Sequence, residues 1–296
     1  MTTTQNDRKG LGIYLLLAFG FTWLCWIPTL WIADQQGYIL PTINHFSQFS
    51  KQGFQDTRHL VISIIFSLAV YGPLAGALAA AGIQKGRSGL ADLGARLVKW
   101  RLPAHWYGAA VGLPLLIAAI PRLIAALTGQ VQPAGSFPGW PLPVLVGLFF
   151  WQLLTSGLGE EPGWRGFLLP YLQERFQAVK AVWLLGFIWA VWHFPITILD
   201  TISRMEGVPA SGTVVTIAVA LVGQILALVG MSYLYAWLYS NTSSLFLVML
   251  FHAWSNFLPA VLLFGVTPSL NILMAVIPWI TVFALEKILG GEYFPG

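Results

Sequence analysis

Long apolar runs dominate the 296-residue chain, and short polar segments separate them. A helix that crosses a bilayer needs about 20 mostly apolar residues. Backbone polar groups cannot be left unsatisfied in lipid, so each such run predicts a transmembrane helix. We predict eight spans, at 11–33, 60–83, 105–128, 143–161, 181–199, 214–239, 243–264 and 270–289.

The composition agrees with a membrane protein. Hydrophobic residues make up 57% of the chain and charged residues only 9%, whereas soluble domains contain roughly a quarter charged residues. The mean hydropathy is +0.73. These values exclude a disordered chain, a nucleic-acid-binding domain and an ordinary water-soluble enzyme. We therefore expect one all-α integral membrane domain over residues 1–296, a polytopic helix bundle whose partners include membrane lipid and exclude nucleic acid.

Positive charge predicts the orientation of this bundle. Loops on the cytoplasmic side of a membrane are enriched in Lys and Arg. If the N-terminus is cytoplasmic, three basic residues fall outside, Lys51, Arg58 and Arg204. Ten then fall inside: Arg8, Lys9, Lys85, Arg87, Arg96, Lys99, Arg101, Arg175, Lys180 and Lys287. We predict a multi-pass protein of a cell membrane, specifically a bacterial inner membrane, with both termini in the cytoplasm.

Three short clusters hold nearly all the ionisable residues near or within the spans. Such residues are costly at membrane depth, which makes each a functional candidate. The clusters are LGEEPGWRGFLLP with Glu160, Glu161 and Arg165, WAVWHFP with Trp189 and His193, and LFHAWSNF with His252 and Asn256.

Helical spacing predicts how the first and third clusters are arranged. Glu160 and Glu161 are adjacent, so on a helix their side chains point about 100° apart. Arg165 is four residues after Glu161, and this spacing predicts an ion pair that leaves Glu160 free to face the bundle interior. His252 and Asn256 share one helix face for the same reason. The alternative is that the three charged residues form a solvated helix end on the cytoplasmic side.

These side-chain types allow two routes to amide hydrolysis. A carboxylate beside imidazoles can deprotonate a water that attacks a carbonyl carbon, while a second His and an Asn stabilise the oxyanion. Alternatively, Glu160, His193 and His252 could hold a divalent metal such as zinc with an open position for water. The spacing leaves both routes open, because the residues lie on separate helices.

The three clusters resemble the motifs EExxxR, FxxxH and HxxxN of the CAAX-protease and bacteriocin-processing (CPBP, or Abi) intramembrane proteases, the type II CAAX prenyl endopeptidase group. The first motif matches Glu160, Glu161 and Arg165, and the third matches His252 and Asn256. The second departs from the pattern, because Trp189 stands at the Phe position before His193.

The resemblance implies an intramembrane endopeptidase of about eight spans, with a motif-bearing catalytic core at 143–264 and a membrane-associated or lipidated peptide or protein as substrate. It assigns Glu160 as the general base and Glu161 and Arg165 as its brace. His193 would orient the water or bind a metal, and His252 and Asn256 would stabilise the oxyanion. Other interpretations are a non-catalytic membrane scaffold or bacteriocin-immunity factor on the same fold, and a proton-coupled transporter.

Overall fold

The computed structural model describes residues 5–43, 45–131, 139–205, 207–267, 270 and 272–289. Within these residues the chain forms eleven helices, and the only β geometry is an isolated antiparallel bridge between Val131 and Val266. The helices are α1 Gln5–Gln36, α2 Phe46–Gln52, α3 Thr57–Ala69, α4 Gly72–Leu97, α5 Ala104–Leu127, α6 Leu142–Gln173, α7 Ala178–Trp192, α8 Phe194–Arg204, α9 Ala210–Thr242, α10 Leu245–Leu262 and α11 Ile272–Ile288.

The long apolar helices confirm an all-helical, multi-pass membrane protein. Five helices, α1, α5, α6, α9 and α10, are long and apolar enough to cross a bilayer. The bent pairs α3–α4 and α7–α8 pass the same test when each pair is taken as one span. These seven coincide with the first seven predicted spans. The eighth predicted span, 270–289, coincides with α11, which has 17 residues and is about 26 Å long, slightly less than a typical hydrocarbon core.

Helix α6 is longer than the predicted span 143–161. The predicted span ends beside the charged residues, but the helix continues to Gln173 because Glu160, Glu161 and Arg165 are buried inside the bundle. Two π-helical segments, at 153–157 and 164–168, lie on either side of the carboxylates. Glu160 is consequently mid-helix, about 27 Å from the first residue of α6, whereas the predicted span 143–161 would put it at a helix end.

The two bent spans break beside α6. The pair α3–α4 bends by 44° near Pro73, which lacks the N–H that would bond the carbonyl of Ala69. The Thr22 hydroxyl donates to that carbonyl instead, at 2.7 Å. Val70, at this break, lies so close to Gly159 of α6 that an added Cβ would be 2.9 Å from the Val70 carbonyl oxygen. Glycine on α6 therefore lets the broken span approach the segment that carries the carboxylates.

The second break places His193. The pair α7–α8 bends by 45° at this residue, and Pro195 is in the first turn of α8. Side chains from other helices satisfy carbonyls at the break: Trp23 Nε1 donates to Trp192 O at 2.9 Å, and Gln224 Nε2 donates to Ala190 O at 3.3 Å. Irregular backbone at membrane depth is tolerated where neighbouring protein groups satisfy it in this way.

Candidate active site

Glu161 is the centre of a fully buried charged network. Arg165 Nη1 donates to Glu161 Oε1 at 3.1 Å, as the four-residue spacing predicts. His252 Nδ1, from α10, lies 2.6 Å from the same oxygen. Glu161 and Arg165 are both 0% exposed, so the alternative of a solvated helix end is wrong. Because a buried charge is costly without partners, this network fixes α6 against α10.

Two aromatic rings enclose the Arg165 guanidinium. Its central carbon lies 4.5 Å from the ring centroid of Trp189 and 4.2 Å from that of Tyr235. Within the described part of the chain, Arg165 Nε and Nη2 have no hydrogen-bond acceptor. The π faces of the two rings therefore supply attraction where acceptors are lacking.

Glu160 points away from this network and bonds to Trp189. The indole Nε1 donates to Glu160 Oε2 at 2.7 Å. The same indole contacts both histidines edge to face, with centroid distances of 5.8 Å to His193 and 5.7 Å to His252. Replacement of the motif Phe by Trp thus adds a hydrogen-bond donor to the carboxylate. The motif comparison identified Trp189 only as a departure from the pattern and missed the donor.

Asn256, one of the predicted site residues, is held by Gln152 of α6. Asn256 Nδ2 donates to Gln152 Oε1 at 3.0 Å, and the Ser156 hydroxyl donates to the same oxygen at 3.2 Å. Gln152 is buried on α6, two turns before Glu160. An amide nitrogen carries two hydrogens, so Asn256 retains one N–H for another acceptor. The signal for this role was the shared helix face of Gln152 and Glu160.

A cavity of about 380 Å³ connects these groups. Its lining includes Glu160, His193, His252, Asn256, Gln152 and Trp189. Glu161 and Arg165 lie behind this wall, and neither lines the cavity. A second, apolar cavity of about 560 Å³ adjoins the first, and the two share six lining residues: Pro41, Thr42, Ile43, Ser67, Trp151 and Gln152.

The hydrogen bonds of the two histidines assign their tautomers. His193 Nδ1 lies 3.0 Å from the Trp189 carbonyl oxygen, and His252 Nδ1 faces the Glu161 carboxylate. Both partners only accept, so both Nδ1 atoms carry hydrogen. A neutral ring then has an unprotonated Nε2, which accepts a hydrogen bond, and a protonated ring has an Nε2–H, which donates one. Donation to an oxyanion therefore requires the protonated form of His252, which the hydrogen bond from Nδ1 to the Glu161 carboxylate would stabilise.

The residues suggested for a metal do not form a ligand set. Among the residues that the structure describes, no group of three or more His, Cys, Asp or Glu side chains is arranged to hold a metal ion, and this includes Glu160, His193 and His252. A zinc site needs at least three such protein ligands around one point. We therefore derive no chemical step through a metal.

Comparison with known proteins supports the motif resemblance. A family model described as type II CAAX prenyl endopeptidase Rce1-like matches residues 141–258, an interval that contains all six predicted site residues. CAAX prenyl protease 2 of Methanococcus maripaludis is 39% identical over 54 residues. That alignment covers 18% of this chain and only 20% of the relative's length. Residues 141–258 thus match a type II CAAX prenyl endopeptidase Rce1-like domain, as the three motifs predicted.

Proposed function

We propose that this protein is an intramembrane endopeptidase that hydrolyses a peptide bond of a membrane-associated or lipidated peptide or protein. One observation carries the proposal: Glu160 on α6, His252 and Asn256 on α10, and His193 at the α7–α8 break all line one cavity. The Rce1-like match over the same segment supports a peptidase of this class.

In the proposed reaction Glu160 acts as the general base. Its carboxylate takes a proton from water, and the water oxygen attacks the carbonyl carbon of the scissile bond. His193 Nε2 accepts a hydrogen bond from the same water and orients it. When the tetrahedral intermediate collapses, the C–N bond breaks and the leaving amine takes the proton from Glu160. Trp189 keeps the carboxylate in position throughout.

The oxyanion would receive hydrogen bonds from α10. Asn256 has one N–H beyond the bond to Gln152, and protonated His252 would supply Nε2–H. Both donors are held before substrate arrives, Asn256 by Gln152 and His252 by Glu161. Donors that need no reorganisation stabilise developing charge most effectively. Glu161 and Arg165 would thus act as positioning residues.

The test compares protein termini in membranes of cells that express the wild type or Glu160→Gln, by terminus-enriched mass spectrometry. The substitution keeps the side-chain size and removes the base, so we expect peptide termini that occur only with the wild type. Glu174→Gln is the matched control, because Glu174 is exposed just beyond α6 and its loss should change no terminus. Identical termini for all three proteins at equal abundance would contradict the protease and favour a non-catalytic membrane scaffold.

A further inference from the structure

The bundle has two chemically different ends. At one end, Asp7 Oδ2 lies 4.0 Å from Arg175 Nη2, which joins the start of α1 to the end of α6. Lys99 Nζ donates to the Thr242 carbonyl at 2.7 Å, which joins the segment after α4 to the end of α9. We call this the basic end.

The opposite end is built from the described residues of the segments 37–56, 128–131 and 263–267, and we call it the loop end. The Tyr38 hydroxyl donates to Asp56 across the first segment. The Thr267 hydroxyl donates to Gln130 Oε1 at 2.8 Å, which joins the second and third segments. The Trp140 ring, just before α6, contacts Phe46 and Phe264, with centroid distances of 5.1 and 6.2 Å, and so joins the first segment to the third. The three connections therefore lie on one face of the bundle.

Lys and Arg are unequally divided between the two ends. The ten basic residues predicted to be cytoplasmic belong to the segments at the basic end, and the loop end has Lys51, Arg58 and Arg204. Arg122 adds a fourth at the loop end, where its Nη1 donates to the Phe264 carbonyl at 3.1 Å. Because basic residues are retained on the cytoplasmic side, this distribution places the loop end outside the cytoplasm.

The cavity extends from the carboxylate toward the loop end. On the basic side of Glu160, helix α6 is completely packed: Trp164, Arg165, Leu168 and Leu169 are at most 1% exposed. On the other side, Gln152 and Ser156 line the cavity and Ser156 is half-buried. A route from Glu160 to the basic end would have to displace this packed segment.

Along helix α10, too, side-chain exposure increases from the basic end toward the loop end. Residues Leu245, Leu247, Val248 and Phe251, which lie between His252 and the basic end, are 0% exposed. Toward the loop end, Ser255, Asn256 and Pro259 are half-buried and line the cavity. The lining ends at Pro41, Thr42 and Ile43 of the loop end.

We propose that the active site receives its substrate from the loop end, on the extracytoplasmic side of the membrane. The substrate is then a peptide segment already exposed outside the cytoplasm or in the outer part of the bilayer. A tail that remains in the cytoplasm cannot reach Glu160. That the cavity receives a substrate rests on the proposed hydrolytic function, whereas the direction in which the cavity opens rests only on packing and charge.

Cysteine accessibility tests the direction of opening without any need for catalysis. Cys25 is the single cysteine, so Cys25→Ala gives a cysteine-free background. Three near-isosteric substitutions are then compared: Ser67→Cys in the cavity, Ser50→Cys on exposed α2 at the loop end, and Ser88→Cys on exposed α4 at the basic end. Intact and permeabilised cells are treated with the small charged reagent sulfonatoethyl methanethiosulfonate, and unreacted thiols are counted by a maleimide-polymer gel shift.

We expect Ser50→Cys and Ser67→Cys to lose their gel shift in intact cells and Ser88→Cys to lose it only after permeabilisation. Labelling of Ser88→Cys but not Ser50→Cys in intact cells would overturn the orientation. Ser67→Cys that reacts only after permeabilisation, or not at all, would overturn the opening. The terminus comparison separates the two proposals. The absence of Glu160-dependent termini would reject the protease. Glu160-dependent termini confined to cytoplasmic segments would reject only extracytoplasmic access.

Discussion

Trp189→Phe isolates the hydrogen bond between the indole and Glu160. The substitution keeps an aromatic ring between His193, His252 and Arg165 but removes the N–H that lies 2.7 Å from Glu160 Oε2. We expect kcat to fall while KM changes less, because the lost contact is to the proposed general base. The protein should remain folded, since Glu161 and Arg165 keep their own ion pair.

The magnitude follows from the charge of the acceptor. A hydrogen bond to a charged group contributes about 1.5–3 kcal/mol, and each 1.4 kcal/mol in the barrier is a factor of about ten in rate. Because Glu160 gains a proton in the reaction, the indole acts by positioning the carboxylate. Misplacement that raises the barrier by an amount of this size would lower kcat by about 10- to 100-fold. The smaller ring also leaves a void, which should reduce stability by about 1–3 kcal/mol.

The assay measures kcat and KM in proteoliposomes on a peptide that spans a cleavage site found by the terminus comparison. Trp192→Phe is the matched control: Trp192 is on the same helix and fully buried, and its Nε1 donates to the Ala18 carbonyl at 2.6 Å. It should lose similar stability with little change in kcat. Equal kcat losses in the two variants, or an unchanged kcat in Trp189→Phe, would refute the assigned role of Trp189.

Three further predictions concern packing, charge and metal. Gly163→Ala would place a Cβ 2.5 Å from Pro73 Cβ, so thermal unfolding in detergent should show a loss of about 1–3 kcal/mol. Gly147→Ala on the same helix meets nothing within 4 Å and should be neutral; equal effects would contradict the close helix contact. Arg165→Met leaves the Glu161 carboxylate buried without its cation and should cost about 3–5 kcal/mol in the same measurement, and a neutral result would show that the pair is dispensable. Activity should survive exhaustive chelation, because the candidate ligands form no metal-binding group in the described residues; loss on chelation with recovery on adding zinc would reverse that conclusion.

The sequence by itself determined the features that depend on local periodicity. Runs of about 20 apolar residues predict membrane helices wherever they occur, and the seven spans that the structure supports follow from that rule. The ion pair of Glu161 with Arg165 also follows from sequence, because residues four apart meet on any helix. Here the physical cause is short-range, and neighbouring residues are sufficient to specify the result.

Only the tertiary structure decided which side chain each polar group of the site bonds to. Glu161 meets His252 across 91 residues, Glu160 meets Trp189 across 29, and Gln152 meets Asn256 across 104. Helical spacing specifies the face on which a side chain lies, but not which helix packs against that face. Likewise, α6 continues past Pro162 because the bundle buries and pairs its charges. The direction in which the cavity opens follows from the close packing between Glu160 and the basic end. These results depend on contacts between distant segments, which no local pattern contains.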